Sequence, residues 1–180
     1  TLEFLENTSA GIVGCHLGLL GFEMARGQIC KEGMDASVFN KFESVLSGHF
    51  HAKSSQGNIH YLGAQYEFFW SDCDDPKHFH VLDTKTRELE SIHNPITMFE
   101  KGFYDDAKET FETISEKDYS NYTGKFVKII VVNKDNPYWF DTFLDKVHAA
   151  SPLHVSVVDD NKHMDFYGDD DIEDVEDTLT

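Results

Sequence analysis

Three consecutive segments near the end of the sequence constrain the fold most strongly. Phe126 to Val132 has the β-branched, apolar composition of a buried strand. Pro137 to Ala149 then carries five large apolar side chains at helical spacing, and Leu153 to Val158 is again strand-like. Together these segments predict a compact β-α-β module.

Two earlier segments predict strands that each deliver a histidine. Gly11 to Cys15 is a short run of small and apolar residues before His16, and Ser44 to Gly48 repeats this design before His49. Such runs are typical of buried strands that feed a loop. Between them, Asp35 can cap a helical segment. This part of the chain is therefore predicted as strand, loop, helix, strand.

The middle of the chain predicts a β-meander. Strand-like windows alternate with turns there, and Asp83 to Arg87 resembles a hairpin turn. Asn94-Pro95 ends the pattern, and the acidic stretch from Glu100 to Tyr122 predicts a mobile connection or an irregular crossover. The predicted strands are Ile59 to Leu62, Tyr66 to Trp70, Phe79 to Leu82 and Glu88 to Ile92.

These patterns predict three parts of the chain. Residues 1–98 form the first part, residues 99–163 hold the connection and the β-α-β module, and residues 164–180 form an acidic tail. Asp165 to Asp177 has eight acidic residues and no basic residue. A segment that repels itself in this way is predicted to be disordered and solvated.

The charge balance limits the partners of the chain. It has 33 acidic and 15 basic residues, a net charge of −18, so phosphate backbones are repelled at long range. A nucleic acid must therefore be engaged through a local basic patch or through bound metal cations. Apolar runs fall short of the roughly 18 residues of a membrane span, so no membrane partner is expected.

The cysteines and the first residue indicate a cytoplasmic piece of a longer protein. Cys15, Cys30 and Cys73 lack a C-x-x-C spacing, which favours reduced thiols over a disulfide framework or a thiolate zinc site. No Met precedes Thr1, and the opening residues are too polar for a signal peptide.

The segment Ser47-Gly48-His49-Phe50-His51 is the strongest candidate for chemistry. In an extended chain, residues i and i+2 point the same way about 6.6 Å apart, so His49 and His51 can chelate one ion or serve two neighbouring ions. Gly48 allows a tight backbone turn. The alternative is two surface imidazoles on a strand, because H-x-H pairs are common by chance.

Other histidines test this interpretation. His78 and His80 have the same spacing, but they follow Pro76-Lys77, lack a glycine and lead into an ordinary hairpin, so they are interpreted as exposed or packing residues. His60, in Gly57-Asn58-Ile59-His60, is also interpreted as structural.

His16 extends the candidate site. If its strand lies parallel to Ser44–Gly48, then His16, His49 and His51 converge at one carboxyl edge, where open α/β sheets bind ligands. Taken alone, His16 is more often a satisfied buried histidine.

This order of residues resembles a known family. A strand ending in His16, Gly48-His49-Phe50-His51 about thirty residues later, and then Tyr61-Leu62-Gly63 resemble the closing half of calcineurin-like metallophosphoesterases. The similarity is greatest to the nuclease subunits of double-strand-break-repair nuclease and ATPase complexes, and within these to the recombination endonuclease subunits of T-even-type bacteriophages.

The resemblance implies a fold, an activity and partners. The fold class is α/β (α+β), the C-terminal half of a two-layer β-sandwich domain followed by a small β-α-β capping domain. His16 and His49 would ligate one Mn²⁺ and His51 a second, with Mg²⁺ as an alternative metal and Gly48 as the supporting residue of the loop. The resemblance implies that the protein is a DNA endo- and exonuclease that acts in recombination and repair. It also implies a coiled-coil SMC-like ATPase partner and a homodimer of the whole protein. The implied location is the cytoplasm of the infected bacterial host.

The resemblance also implies that part of the metal site is missing. Family members carry Asp-x-His, a bridging Asp and Asn-His-Asp upstream of the His16 equivalent, and these motifs do not follow Thr1 in order. No catalytic residue is therefore assigned in this chain. The chain alone is expected to bind manganese weakly and to cleave nothing measurable.

Two alternatives belong to other classes. A non-catalytic acidic module that binds a basic protein partner explains the charge but leaves the histidine placement unexplained. A single structural zinc held by His16, His49 and His51 would make folding depend on metal.

Overall fold

The computed structural model describes residues 2–25 and 27–159. The chain forms two compact units, which divide between Ile96 and Thr97. The predicted acidic tail, residues 164–180, lies outside the described residues. Among the described residues, no helix combines the length and the apolar character needed to cross a membrane.

The first unit is built on a mixed four-stranded sheet. Its order is β1-β4-β6-β5, in which β1, β4 and β6 run parallel and β5 pairs antiparallel with β6. The two strands predicted to deliver histidines are confirmed as β1 and β4, and they lie side by side in parallel. The bounds are β1 Ile12–His16, β4 Ser44–Gly48, β5 Ser54–Gln56 and β6 Ile59–Tyr61.

Short elements cover this sheet. Asp35 caps the segment predicted as a helix, and its carboxylate accepts from the Ser37 amide at 2.8 Å. The segment is only a short 3-10 helix, because the Asn58 side chain donates to the carbonyls of Phe39 and Phe42 and turns the chain there. The remaining bounds are α1 Leu2–Asn7, β2 Glu23–Ala25, β3 Gln28–Ile29 and the 3-10 helix Ala36–Phe39.

The predicted β-meander is wrong as a continuous sheet, but its last two strands and the hairpin turn at residues 83–87 are confirmed. β6 joins the parallel sheet instead of pairing with its successor, and β7 (Lys77–Leu82) pairs with β8 (Leu89–Asn94) as a separate antiparallel hairpin. The strand predicted at residues 66–70 does not form. The chain turns instead into the 3-10 helix Trp70–Asp72, because the Asp72 carboxylate binds the backbone amides that precede this turn.

The second unit contains the predicted β-α-β module. A parallel three-stranded sheet has β10 (Phe126–Asn133) at its centre, between β9 (Phe99–Asp105) and β11 (His154–Asp159). The helix α3 (Pro137–Ala149) joins β10 to β11. Asn136 caps α3 by accepting from the Trp139 amide at 3.3 Å.

The irregular connection predicted for residues 100–122 is wrong. This stretch lies mostly in β9 (Phe99–Asp105), in α2 (Phe111–Glu116) and in the 3-10 helix Ser120–Tyr122. Its apolar residues are sparse, but Tyr104 and Ile114 are fully buried in the core of the unit. A few large side chains therefore supply the burial that a denser pattern would have signalled.

Candidate functional site

The carboxyl ends of β1 and β4 bring two of the three candidate ligands together. His16, the last residue of β1, lies in register with Gly48, the last residue of β4, and His49 follows directly. The imidazole centroids of His16 and His49 are 5.3 Å apart, with the rings inclined at 72°. The parallel pairing thus places two imidazoles at one sheet edge.

Gly48 makes room for the His16 ring. A Cβ at this position would lie 2.7 Å from Nδ1 of His16, closer than real Cβ contacts. The sequence predicts a turning role for Gly48, whereas in the structure the close approach of the neighbouring imidazole constrains this position. The position of Gly18 also lies close to an imidazole, but the constraint is weaker because a Cβ there would lie 3.5 Å from the His49 ring, an ordinary contact distance.

The backbone of His49 adopts an unusual conformation. Its φ is +84°, in the left-handed region that side chains with a Cβ rarely adopt. Such a residue is held in place by its surroundings at a cost of roughly 1–3 kcal/mol, and these residues cluster at functional sites. With this conformation, the chain leaves the direction of β4 immediately after Gly48, beside the ring of His16.

Tyr61 fixes the loop that follows His16. Its hydroxyl donates to the Leu17 carbonyl at 2.6 Å and accepts from the Leu19 amide at 3.0 Å. The side chain is 1% exposed, and its ring stacks on Phe50 with centroids 4.6 Å apart. Burial raises the pKa of Tyr61, so the phenol is protonated at neutral pH and can donate. Tyr61, a residue of β6, therefore stabilises the loop that follows the candidate ligand His16.

His51 interacts with a carboxylate that sequence reasoning missed. Its Nδ1 lies 3.1 and 3.2 Å from the two carboxylate oxygens of Asp72. Phe69 stacks on the imidazole with a centroid distance of 5.5 Å and an interplanar angle of 6°. The orientation of this ring is therefore fixed both by a hydrogen bond and by packing.

Asp72 is buried and well supplied with donors. Lys77 Nζ, itself buried, lies 2.8 Å from Oδ1, and the amides of Phe68 and Phe69 donate to Oδ2 at 2.8 and 3.1 Å. Burial opposes the charged form, but the hydrogen bonds from His51, Lys77 and the Phe68 amide outweigh it, and the pKa of Asp72 lies well below its usual value. The carboxylate is therefore ionised at neutral pH.

No simple sequence signal singles out Asp72. Asp72, Asp74 and Asp75 are equivalent by composition, and the segment before them was predicted as a strand. The 3-10 turn selects Asp72 because it aims this carboxylate at two backbone amides and at His51.

The second H-x-H pair has different surroundings. His78 lies opposite His93 in the β7–β8 hairpin with ring centroids 5.4 Å apart, and His80 Nε2 lies 3.2 Å from the Ser91 hydroxyl. Burial, followed by the positive charge of Lys53, lowers the pKa of both His78 and His80. His60 contacts the Ser55 hydroxyl at 3.0 Å. The three cysteines are thiols that are not joined in disulfides.

The candidate ligands fit part of a metal centre. Imidazole nitrogens are metal ligands, and a carboxylate on the far nitrogen of a ligating histidine is the usual arrangement around such centres. Within residues 2–25 and 27–159, however, no group of three or more His, Cys, Asp or Glu side chains is arranged to hold an ion. The donor types suit a metal, but their number does not complete a site.

Comparison with known proteins relates the chain to nuclease subunits. It is 30% identical over 165 residues to exonuclease subunit 1 of Enterobacteria phage T4, a match covering 91% of this chain and 46% of the phage protein. It is 26% identical over 102 residues to a subunit of the SbcCD nuclease of Staphylococcus saprophyticus, covering 52% of this chain and 27% of that protein. No family model matches the chain.

These similarities confirm the resemblance predicted from the histidine motifs. The chain is similar to subunits of a phage exonuclease and of a bacterial nuclease, and it has the mixed α/β content predicted for it. It spans less than half of the length of the two curated relatives it matches.

Proposed function

We propose that this chain is part of a manganese-dependent DNA nuclease that hydrolyses phosphodiester bonds in recombination and repair. The observation that carries the proposal is the contact between His16 and His49 at the ends of two parallel strands, in a chain related to nuclease subunits. His16 and His49 would hold one Mn²⁺ and His51 the other. Bound as a pair, such ions supply an activated water and neutralise charge on the phosphate.

The chain's own residues position the imidazoles. Gly48 lets the His16 ring approach β4, Tyr61 holds the loop after His16, and Asp72 holds His51. Since the chain carries a net charge of −18, bound cations are also the means by which it would approach a DNA backbone. Mg²⁺ in place of Mn²⁺ would serve the same purpose.

The proposal includes ligands from outside this sequence. Imidazole nitrogens alone favour zinc, copper, iron or nickel, whereas manganese favours carboxylate and water oxygens. The described residues bring no carboxylate into a three-ligand group. We therefore expect carboxylates encoded upstream of Thr1 to complete the site, and the chain alone to bind Mn²⁺ weakly and to lack nuclease activity.

The remaining parts of the proposal concern the setting of the nuclease. The resemblance to double-strand-break-repair nuclease and ATPase complexes implies action in the cytoplasm with a coiled-coil ATPase partner, and the similarity to a subunit of the SbcCD nuclease supports a multisubunit enzyme. A homodimer of the whole protein is part of the same proposal.

The test extends the chain with the coding sequence that precedes Thr1 and assays nuclease activity on double-stranded and single-stranded DNA with Mn²⁺. We expect Asp-x-His and Asn-His-Asp in the added segment, and activity that is lost in His49→Ala but retained in His80→Ala. His80 is the matched control because it belongs to the other H-x-H pair.

Two outcomes would contradict the proposal. An extended protein that lacks those motifs and binds basic proteins in a salt-sensitive, manganese-independent way would be an acidic interaction module. Activity that survives His49→Ala would separate any nuclease function from this site.

A further inference from the structure

We propose that Asp72 is a positioning residue that keeps Nδ1 of His51 protonated and so assigns metal binding to Nε2. This inference rests on the proposed function, because it concerns how one of its candidate ligands is prepared. It is carried by a buried network of hydrogen bonds that none of the sequence motifs includes.

The donors around Asp72 define its role as an acceptor. Lys77 donates to Oδ1, and the amides of Phe68 and Phe69 donate to Oδ2, all at 2.8 to 3.1 Å. An ammonium group and a backbone amide have only protons to offer, so the carboxylate that receives them is in its acceptor form. The hydrogen bond to His51 must then be donated by the imidazole, which places the proton on Nδ1. In a neutral ring, Nε2 carries the lone pair.

Lys77 ties the network to the candidate ligand a second time. Besides Asp72, its ammonium contacts the Asp75 carboxylate at 2.8 Å and donates to the backbone carbonyl of His51 at 3.3 Å. Its three protons thus reach three acceptors, which satisfies a buried ammonium group. Both the main chain and the ring of His51 are therefore held by one buried ion pair.

Aromatic packing removes the remaining freedom of the ring. Phe69 lies parallel to the imidazole, and the Phe68 ring centroid is 5.4 Å from it. The same two residues supply the amides that bind Asp72. One turn of chain therefore positions the carboxylate and also packs against the histidine, so the ring and its acceptor keep a constant geometry.

The histidines of the β7–β8 hairpin, His78 and His80, have the same H-x-H spacing but different hydrogen-bond partners. His80 uses Nε2 itself to contact the Ser91 hydroxyl, and the Nδ1 atom of His78 is buried without a hydrogen-bond partner in the described structure. The two H-x-H pairs therefore differ in their surroundings although their spacing is the same. Of these two pairs, it is His51 whose Nδ1 contacts a carboxylate, which leaves Nε2 for a metal. Groups of this kind around ligating histidines typically change metal affinity by about 10- to 100-fold when they are removed.

The test measures the tautomer and the metal response separately in the 180-residue chain. Nitrogen-15 NMR of the histidine side chains in the metal-free protein at neutral pH reports which nitrogen of His51 is protonated. We expect the Nδ1–H form in the wild type and a mixture of both tautomers in Asp72→Asn, since a carboxamide can either accept or donate. A wild-type His51 protonated on Nε2, or an Asp72→Asn variant with an unchanged tautomer, would overturn the inference.

Asp75→Asn is the matched control. It removes the other carboxylate that contacts Lys77 but leaves the hydrogen bond to His51 in place, so the tautomer should remain that of the wild type. If Asp72→Asn does not fold because the Lys77 charge is left buried, Asp72→Asn combined with Lys77→Met removes the charge together with its partner. A mixed tautomer in Asp75→Asn would mean that general loosening, not the Asp72 contact, determines the proton position.

Mn²⁺ titration gives the second readout. We expect the Mn²⁺ concentration that half-broadens the His51 ring signals to rise about tenfold or more in Asp72→Asn and to change less than about twofold in Asp75→Asn. An unchanged value in Asp72→Asn would overturn the positioning role. If the wild-type tautomer is as proposed but Mn²⁺ broadens no histidine signal, the proposed metal site fails while the assignment of the tautomer stands.

Discussion

Substituting Gly48 by Ala tests whether the approach of His16 to β4 constrains the sequence. The new Cβ would lie 2.7 Å from Nδ1 of His16, and an ordinary contact begins at 3.4 Å, so the ring has to move away by about 0.7 Å or more. The His49 ring, 5.3 Å away, packs against the same imidazole. Overpacking of this kind costs about 1–3 kcal/mol. We expect that loss of unfolding free energy together with a displaced His16 ring.

Gly14→Ala is the control for this substitution. Gly14 lies in β1, a Cβ there would meet nothing within 4 Å, and neither Gly14 nor Gly48 has a positive φ. Both substitutions reduce the entropy of the unfolded chain by a similar amount, worth about 0.4–1 kcal/mol. The difference between the two variants therefore isolates the steric cost at the candidate site.

Urea unfolding followed by tryptophan fluorescence measures this difference. Trp70 lies in the first unit and Trp139 in the second, so a Trp139→Phe background lets Trp70 report the first unit alone. We expect Gly48→Ala to be less stable than Gly14→Ala by about 1–3 kcal/mol. Equal stabilities, within about 0.5 kcal/mol, would refute the close approach of His16 as a constraint on position 48.

Three further predictions concern other parts of the molecule. His49→Gly should be more stable to urea than His49→Ala by about 1 kcal/mol, because glycine tolerates the φ of +84°; equal stabilities would contradict backbone strain at this residue. Tyr61→Phe should lose about 1–3 kcal/mol of unfolding free energy, because the Leu19 amide loses its buried acceptor, and a loss below about 0.5 kcal/mol would contradict that contact. Burial, followed by the charges of Glu109 and Tyr122, raises the pKa of Tyr119 to about 12, above its unfolded value of about 10. The resulting stabilisation of the second unit is complete below about pH 10 and is lost as the pH rises toward about 12, so absorbance of tyrosinate should appear together with unfolding; titration of this tyrosine near its unfolded pKa in the folded protein would contradict the prediction.

Local periodicity was sufficient where each element buries a regular pattern. β4 and α3 begin and end at the predicted residues, and the apolar runs before His16 and His49 form the parallel pair on which the predicted convergence of the histidines depends. In these segments the spacing of apolar residues agrees with the face that each element buries.

Side-chain hydrogen bonds determined the parts that periodicity missed. The segment before Asp72 has a strand-like composition, but its amides bind the Asp72 carboxylate and the chain turns. The helix after Asp35 ends early because Asn58 binds two of the carbonyls around its end. Asn58 lies 16 and 19 residues from the carbonyls that it binds. Asp72 is one of several aspartates in its segment. Neither side chain can therefore be recognised from the local sequence pattern.

The sequence predicts the candidate ligands but not the residue that positions one of them. His16, His49, His51 and Gly48 are visible as motifs, whereas the contribution of Asp72 depends on a turn formed 21 residues after His51. The left-handed backbone of His49 is also not signalled by the motif, because a positive φ is uncommon for any residue with a Cβ.

Site-specific broadening by Mn²⁺ tests the central claim most directly. In the histidine-labelled chain, which contains ten histidines, increasing Mn²⁺ should first broaden the ring signals of His16, His49 and His51. The signals of His78 and His80, which share the H-x-H spacing, should remain sharp at the same concentrations. If the hairpin histidines broaden first, or if all ten broaden together, the edge formed by β1 and β4 is not a metal site.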